Sequence, residues 1–138
     1  MIKLFYNYSD FQVKEKSFFI KEICTLLNNE GMYIGNINYI FCNDNYLLDM
    51  NEKYLKKSFY TDVISFNYSV NKWISGDTFI SIDRVLDNSK IWNQPFIIEL
   101  KRVMIHSILH FLGYNDQKKL DKKIMKKKEE FYLNLFQY

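Results

Sequence analysis

The 138-residue sequence is poor in glycine, proline and cysteine, with four, one and two of these residues. Cys24 and Cys42 stand alone without C-x-x-C spacing, which predicts buried thiols in a reducing compartment and argues against a disulfide or a zinc knuckle. The N-terminus lacks a basic region followed by a long apolar run, and no stretch approaches the roughly 18 apolar residues of a membrane span. We therefore expect a cytoplasmic protein that is neither secreted nor inserted in a membrane.

The overall charge does not point to a particular partner. The formal net charge is +3, too small to indicate a nucleic-acid-binding protein by itself, so a binding surface must come from local clusters of charge. The hydrophobic content of 48% and the charged content of 25% are ordinary for a globular protein. At this length, residues 1–138 are expected to form a single domain.

Hydrophobic periodicity predicts both strands and helices. Strands are expected at 2–6, 37–42, 62–67 and 77–82, and helices at 18–28, 46–54, 83–92, 95–112 and after residue 116. The strands at 62–67 and 77–82 are close enough in sequence to form an antiparallel hairpin. These elements predict an α+β fold, a small mixed sheet of three to four strands with about five helices packed on it.

Local signals suggest where several helices begin and which face the last one buries. Ser17 and Asp83 are suited to cap the first and third helices, and Asn43 or Asp44 the second. Pro95 is suited to begin the fourth helix. The last helix is expected to pack through one apolar stripe and to expose its lysines as a solvated face, with phosphate contact as the weaker alternative. The stripe consists of Leu120, Ile124, Phe131 and Leu135.

The only two histidines of the chain, His106 and His110, lie four residues apart in an apolar segment expected to be helical. Side chains four apart share a helix face, so both imidazoles can reach one metal ion. A structural histidine pair is the alternative, although this spacing is uncommon by chance. Gly113 is expected to end the helix, which brings Asn115 or Asp116 round as a third ligand. Three protein ligands with an open position are typical of a catalytic zinc site.

The segment is not a zinc-peptidase motif. Ser107 occupies the place of the glutamate that serves as general base in H-E-x-x-H, so peptide hydrolysis by that arrangement lacks its proton acceptor. What remains is a metal ion that polarises a phosphoryl or carbonyl oxygen and activates a water.

Residues 106–116 resemble the signature H-G-x-L-H-L-x-G-Y-D-H of the bacterial YbeY endoribonucleases. Residues 61–66 resemble the T-D-V-L-S-F motif of that family and residues 76–81 its G-D-I-x-I-S strand, while Asn51 and Tyr54 match the preceding helix. The resemblance covers roughly residues 37 to 135, with the motifs in the family's order. It implies a single-strand-specific, metal-dependent endoribonuclease of ribosomal RNA maturation and ribosome quality control.

The same resemblance implies a site and partners. His106, His110 and Asp116 are the implied ligands of one Zn²⁺ per chain, with the general base unidentified and no nucleotide cofactor. Ribosomal RNA, its precursors and the small ribosomal subunit with its assembly factors are the implied partners. The rival hypothesis is a non-catalytic ribosome assembly factor with a structural metal site, and a weaker one is hydrolysis of a small amide or ester.

Two positions depart from the family pattern. Asp116 stands where the family has its third histidine, and this anionic ligand is expected to make the bound water less acidic. Leu55 stands where the family usually has an arginine, and Lys56 and Lys57 are the nearest residues for electrostatic support. Asp62, a polar residue beside an apolar run, is expected to have a structural role.

Overall fold

A computed structural model describes residues 1–8 and 10–138. The strands in this part of the chain are β1 (Ile2–Tyr6), β2 (Tyr33–Cys42), β3 (Val63–Asn67) and β4 (Trp73–Ser81). The helices are α1 (Lys16–Asn29), α2 (Asp44–Leu55), α3 (Ile82–Ile91), α4 (Phe96–Phe111) and α5 (Lys119–Leu135). The predicted α+β fold is confirmed.

The sheet has the strand order β1-β2-β4-β3. β1 is parallel to β2 and β2 is parallel to β4, while β3 is antiparallel to β4 at the edge of the sheet. Parallel neighbours need a crossover connection, which α1 provides between β1 and β2. The predicted hairpin of β3 and β4 is confirmed, but β4 already begins at Trp73, so the turn is shorter than predicted.

Helices cover both faces of the sheet. On one face, the Tyr39 hydroxyl donates to the carbonyl oxygen of Met104 in α4 at 3.2 Å, and the Tyr39 ring meets Phe19 of α1 edge to face. On the other face, α2 packs buried Leu47 against Cys42. Alternate side chains of β2 thus serve two cores. Because α4 runs through the larger one, the histidines that it carries have a rigid support.

Gly76 of β4 allows α4 to approach the sheet closely. A Cβ atom at this position would lie 2.5 Å from Cζ of Phe111 and 2.6 Å from the carbonyl oxygen of Phe66. Both distances are far below van der Waals contact. Any larger residue would therefore have to displace the Phe111 ring of α4 and the backbone of β3 at Phe66.

Two of the predicted helix caps are wrong. Ser17 lies inside α1, which follows Glu15 and has no side-chain cap. Ser81, rather than Asp83, caps α3, since its hydroxyl accepts the backbone N–H of Arg84 at 3.2 Å. The cap by Asn43 is confirmed, because its side chain accepts the N–H of Tyr46 at 2.8 Å.

The two cysteines are free, as predicted, but only Cys42 is buried and Cys24 is half-buried. Across residues 1–8 and 10–138, the structure holds no helix with the length and hydrophobicity that crossing a membrane requires.

The predicted packing stripe of α5 is also wrong. Its four apolar residues are between 42% and 67% exposed. The helix instead buries Met125, Glu129 and Tyr132. Tyr132 donates to Glu30 at the end of α1 and Glu129 contacts His106 of α4, so the rotation of α5 is set by polar partners on two other helices.

Candidate metal centre

Helix α4 presents the two histidines side by side. It begins after Pro95, whose missing N–H needs no partner at a helix start, and it ends before Gly113, which has a φ of 103°. That left-handed conformation is easy for glycine and reverses the chain. His106 and His110 lie one turn apart near this end, and their Nε2 atoms are 2.9 Å from each other.

Asp116 completes a group of three. Its Oδ2 lies 3.2 Å from Nε2 of His110 and 3.3 Å from Nε2 of His106. Ligand atoms bound to zinc at about 2.0–2.1 Å in a tetrahedron are roughly 3.3 Å apart, so these three atoms could hold such an ion. Asn115, the other candidate from the turn, is exposed, and Asp121 does not belong to the group.

Glu129 lies behind the first histidine and was not predicted from the sequence. Its Oε2 is 2.5 Å from Nδ1 of His106, and its side chain is only 8% exposed. A carboxylate at Nδ1 keeps the proton on that nitrogen and leaves the Nε2 lone pair for a metal ion. The sequence feature that could have indicated Glu129 is its spacing from Met125 and Tyr132, which places one acid on the helix face that the structure buries.

Arg102 links this carboxylate to the rest of the fold. Its guanidinium donates to Glu99 at 2.5 Å and to Glu129 at 3.3 Å, and it lies 3.7 Å from Asp62, the residue just before β3. Partial burial lowers the pKa of Arg102, but the hydrogen bond to Glu99 and the three negative charges outweigh burial and raise that pKa. Arg102 therefore stays charged and fully engaged. The contact also agrees with the structural role predicted for Asp62.

A cluster of hydrogen bonds around Glu30 supports the turn that carries Asp116. Glu30 accepts hydrogen bonds from the hydroxyls of Tyr114 at 2.8 Å and of Tyr132, and from Nζ of Lys128 at 3.1 Å. Burial raises the pKa of Glu30, but the hydrogen bonds from the two tyrosines and the lysine lower it below its usual value. Since Tyr114 is two residues from Asp116, the ionised Glu30 helps to hold the turn in place.

Ser107 points away from the three ligand atoms. Its buried Oγ is 2.5 Å from Oγ1 of Thr78 and 3.0 Å from Oγ of Ser65, so it joins α4 to β4 and β3. The residue in the place of the peptidase glutamate is therefore a packing contact with the sheet.

Comparison with known proteins places these residues in a family. A sequence profile described as endoribonuclease YbeY matches residues 5–137. The chain belongs to the endoribonuclease YbeY family. The chain is 46% identical to endoribonuclease YbeY of Flavobacterium psychrophilum over 132 residues, which cover 95% of this chain and 94% of the relative. It is 45% identical to the protein of the same name from Karelsulcia muelleri over 133 residues, or 96% and 94% of the two chains.

A solved structure shows the same fold. The solution structure of a protein from Thermotoga maritima superposes with a TM-score of 0.70 at 22% identity, covering 99% of this chain and 89% of that one. At this identity the similarity concerns the fold, and it agrees with the mixed sheet and packed helices described above.

Position 55, where the YbeY family was expected to have an arginine, holds a leucine. Leu55 is the last residue of α2 and is 43% exposed. Lys56 follows in a left-handed conformation with a φ of 54°, and Lys57 lies with its Nζ 5.9 Å from the Phe59 ring centre. Both lysines are exposed in the loop before β3, and the described contacts do not join either to the three ligand atoms.

Proposed function

We propose that this protein is a zinc-dependent endoribonuclease that hydrolyses phosphodiester bonds of single-stranded ribosomal RNA precursors in the cytoplasm. The observation that carries the proposal is the partly exposed group of His106, His110 and Asp116, whose ligand atoms lie about 3 Å apart on a rigid helix and the turn that follows it. One Zn²⁺ held there would supply a Lewis acid for a phosphoryl oxygen and an activated water.

The other residues of the site have supporting roles in this proposal. Glu129 holds the proton on Nδ1 of His106 and so keeps Nε2 directed at the ion. Arg102 neutralises Glu99 of α4 and Glu129 of α5, which would otherwise repel each other between the two helices. Lys56 and Lys57 attract the RNA backbone from the loop before β3. No group among these is assigned as the general base.

Zinc is favoured over other ions by the donor set. Two imidazole nitrogens and one carboxylate oxygen suit zinc, whereas magnesium and calcium prefer shells made of oxygen alone. The names of the relatives support RNA as the substrate. We include ribosome quality control and contact with the small ribosomal subunit in the proposal as the roles that the family resemblance implies.

The central experiment measures metal content and RNA cleavage together. Protein purified without an affinity tag should contain one zinc per chain by elemental analysis, and His106→Ala or His110→Ala should each abolish this stoichiometric metal. Cleavage of an unstructured ribosomal RNA fragment should disappear in both variants and on treatment with a chelator. Unchanged zinc content in both variants would show that the histidine pair is not a metal site.

The second candidate is a ribosome assembly factor in which the metal only ties α4 to its turn. Leu55 favours it, because the arginine that a phosphate-cleaving site would use is missing. In that case the zinc-loaded protein should bind RNA without cutting any ribosomal precursor, and metal removal should lower thermal stability alone.

A further inference from the structure

The face of α5 that packs against α4 continues toward the start of the helix as Lys122, and Lys118 directly precedes the helix. Buried Met125, Glu129 and Tyr132 are spaced four and three residues apart, the interval at which side chains share one helix face. One more step of three residues leads back to Lys122, and Lys118 is the residue just before the helix, two positions after Asp116. Both lysines are exposed, although Lys122 lies on the face that is buried further along.

These two lysines lie at the solvent-exposed end of the metal centre. Asp116, just before α5, contacts His110 near the end of α4. Glu129, further along α5, contacts His106 and Arg102, which lie nearer the start of α4. The helix α5 therefore runs antiparallel to α4. The side chains of His106, His110 and Asp116 are 18%, 31% and 40% exposed, rising toward the turn between the helices. The site is therefore open at the end where α5 begins, and Lys118 and Lys122 lie on the α5 side of that opening.

No acid in the part of the chain that the structure describes lies within 4.0 Å of the Nζ of either lysine. Within the described part of the chain, Lys128 is the one lysine of α5 with a carboxylate within 4.0 Å, and its partner is Glu30. Lys123 and Lys127 are also exposed, but at about 100° per residue they point some 120° and 160° away from the Glu129 direction. Lys122 of the helix and Lys118 just before it thus lie at the opening, whereas Lys123 and Lys127 face bulk solvent.

We propose that Lys118 and Lys122 form a wall of the metal centre that binds the phosphate backbone of single-stranded RNA next to the bond to be cut. The proposal rests on the proposed nuclease function and adds the residues that seat the substrate. A lysine ammonium can bind phosphate as a point charge without reading the base, so this wall would position RNA of any sequence. It also gives part of the α5 lysines a role beyond solvation.

The test compares two double variants that each remove two lysine charges, one pair at the opening and one pair on the solvent-facing side of α5. Binding of a fluorescein-labelled unstructured RNA oligonucleotide to chelator-treated protein is followed by fluorescence anisotropy at several salt concentrations, so that no cleavage occurs. Each phosphate contact on a single strand contributes about 0.7 to the slope of log K against log salt. Lys118→Ala with Lys122→Ala should reduce the slope by roughly 1.4 and weaken binding roughly 10- to 30-fold at 0.1 M salt.

The matched control is Lys123→Ala with Lys127→Ala, which should change the slope by less than half as much. Arginines at positions 118 and 122 should restore wild-type binding, and zinc content should be the same in all variants. Equal losses in the two alanine pairs, or an unchanged slope in the 118 and 122 pair, would overturn the lysine wall. Failure of the nuclease proposal looks different, because the zinc-loaded wild type would then bind the oligonucleotide with these slopes and leave it uncut.

Discussion

Glu129 Oε2 lies 2.5 Å from Nδ1 of His106, on the opposite side of the imidazole from the nitrogen that faces His110 and Asp116. The two residues are 23 positions apart and belong to different helices. A buried carboxylate in this position orients the ring and selects its tautomer, so the affinity of the site for a metal ion should depend on a residue that does not touch the ion.

Glu129→Gln should weaken zinc binding by about 10- to 100-fold, the usual effect of losing a carboxylate behind a histidine ligand. The amide keeps the shape of the glutamate side chain but removes the negative charge that contacts both Arg102 and His106. Competition with a chromophoric chelator measures the affinity. The neighbouring Glu130 is exposed, and Glu130→Gln is the control that should bind zinc like the wild type. Equal affinities for the two variants would remove Glu129 from the site.

Asp116 can be tested by two substitutions with different expected results. Asp116→Ala should reduce zinc affinity by more than the roughly 100-fold expected for a supporting residue, because it leaves only the histidine pair. Asp116→His should retain zinc, and the rising limb of its pH profile for RNA cleavage should move toward acid, since a neutral ligand leaves more charge on the ion. Asp121→Ala is the control. Full zinc occupancy in Asp116→Ala would show that the third ligand lies elsewhere.

Glu30 should make the stability of the fold depend on pH. Its hydrogen bonds lower the pKa of the folded state below that of the unfolded state, so its stabilising effect is complete above about pH 4.3, the ordinary glutamate value. The effect is lost as the pH falls through the lower, folded pKa. Glu30→Gln should cost about 1–3 kcal/mol of unfolding free energy at pH 7, and the difference from wild type should shrink below pH 4.

Urea denaturation at pH 7, 5 and 3.5 measures this difference. Glu52→Gln changes an exposed acid of α2 and should have an effect close to zero at each pH. If the cost of Glu30→Gln were the same at all three values, the ionised form of Glu30 would not be what stabilises the turn at Tyr114.

The sequence predicted α4 and the strands better than it predicted α5. In α4, apolar residues on almost every side leave little freedom about its orientation, and the four-residue spacing of His106 and His110 is a local property. In α5 two faces compete. The stripe through Ile124 and Phe131 has the more regular apolar pattern, yet the helix buries the face with Met125, Glu129 and Tyr132.

The choice between the two faces of α5 depends on contacts that a single segment does not contain. Glu30 accepts a hydrogen bond from Tyr132, and His106 contacts Glu129, over separations of 102 and 23 residues. For the same reason the sequence indicated His106, His110 and Asp116, which lie within eleven positions, but not Glu129 or Glu30. Polar partners from distant elements, rather than apolar periodicity, set the rotation of the helix.

The distribution of these supporting residues along the chain has a consequence for protein synthesis. A nascent chain that has grown as far as Asp116 already contains all three proposed ligands, but it lacks Glu129, which orients His106, and Tyr132, which helps to anchor Glu30. Residues nearer the N-terminus leave the ribosome first as the chain emerges. The sheet and α4 can thus assemble early, while the centre should acquire its affinity for a metal ion only after α5 has been made and docked.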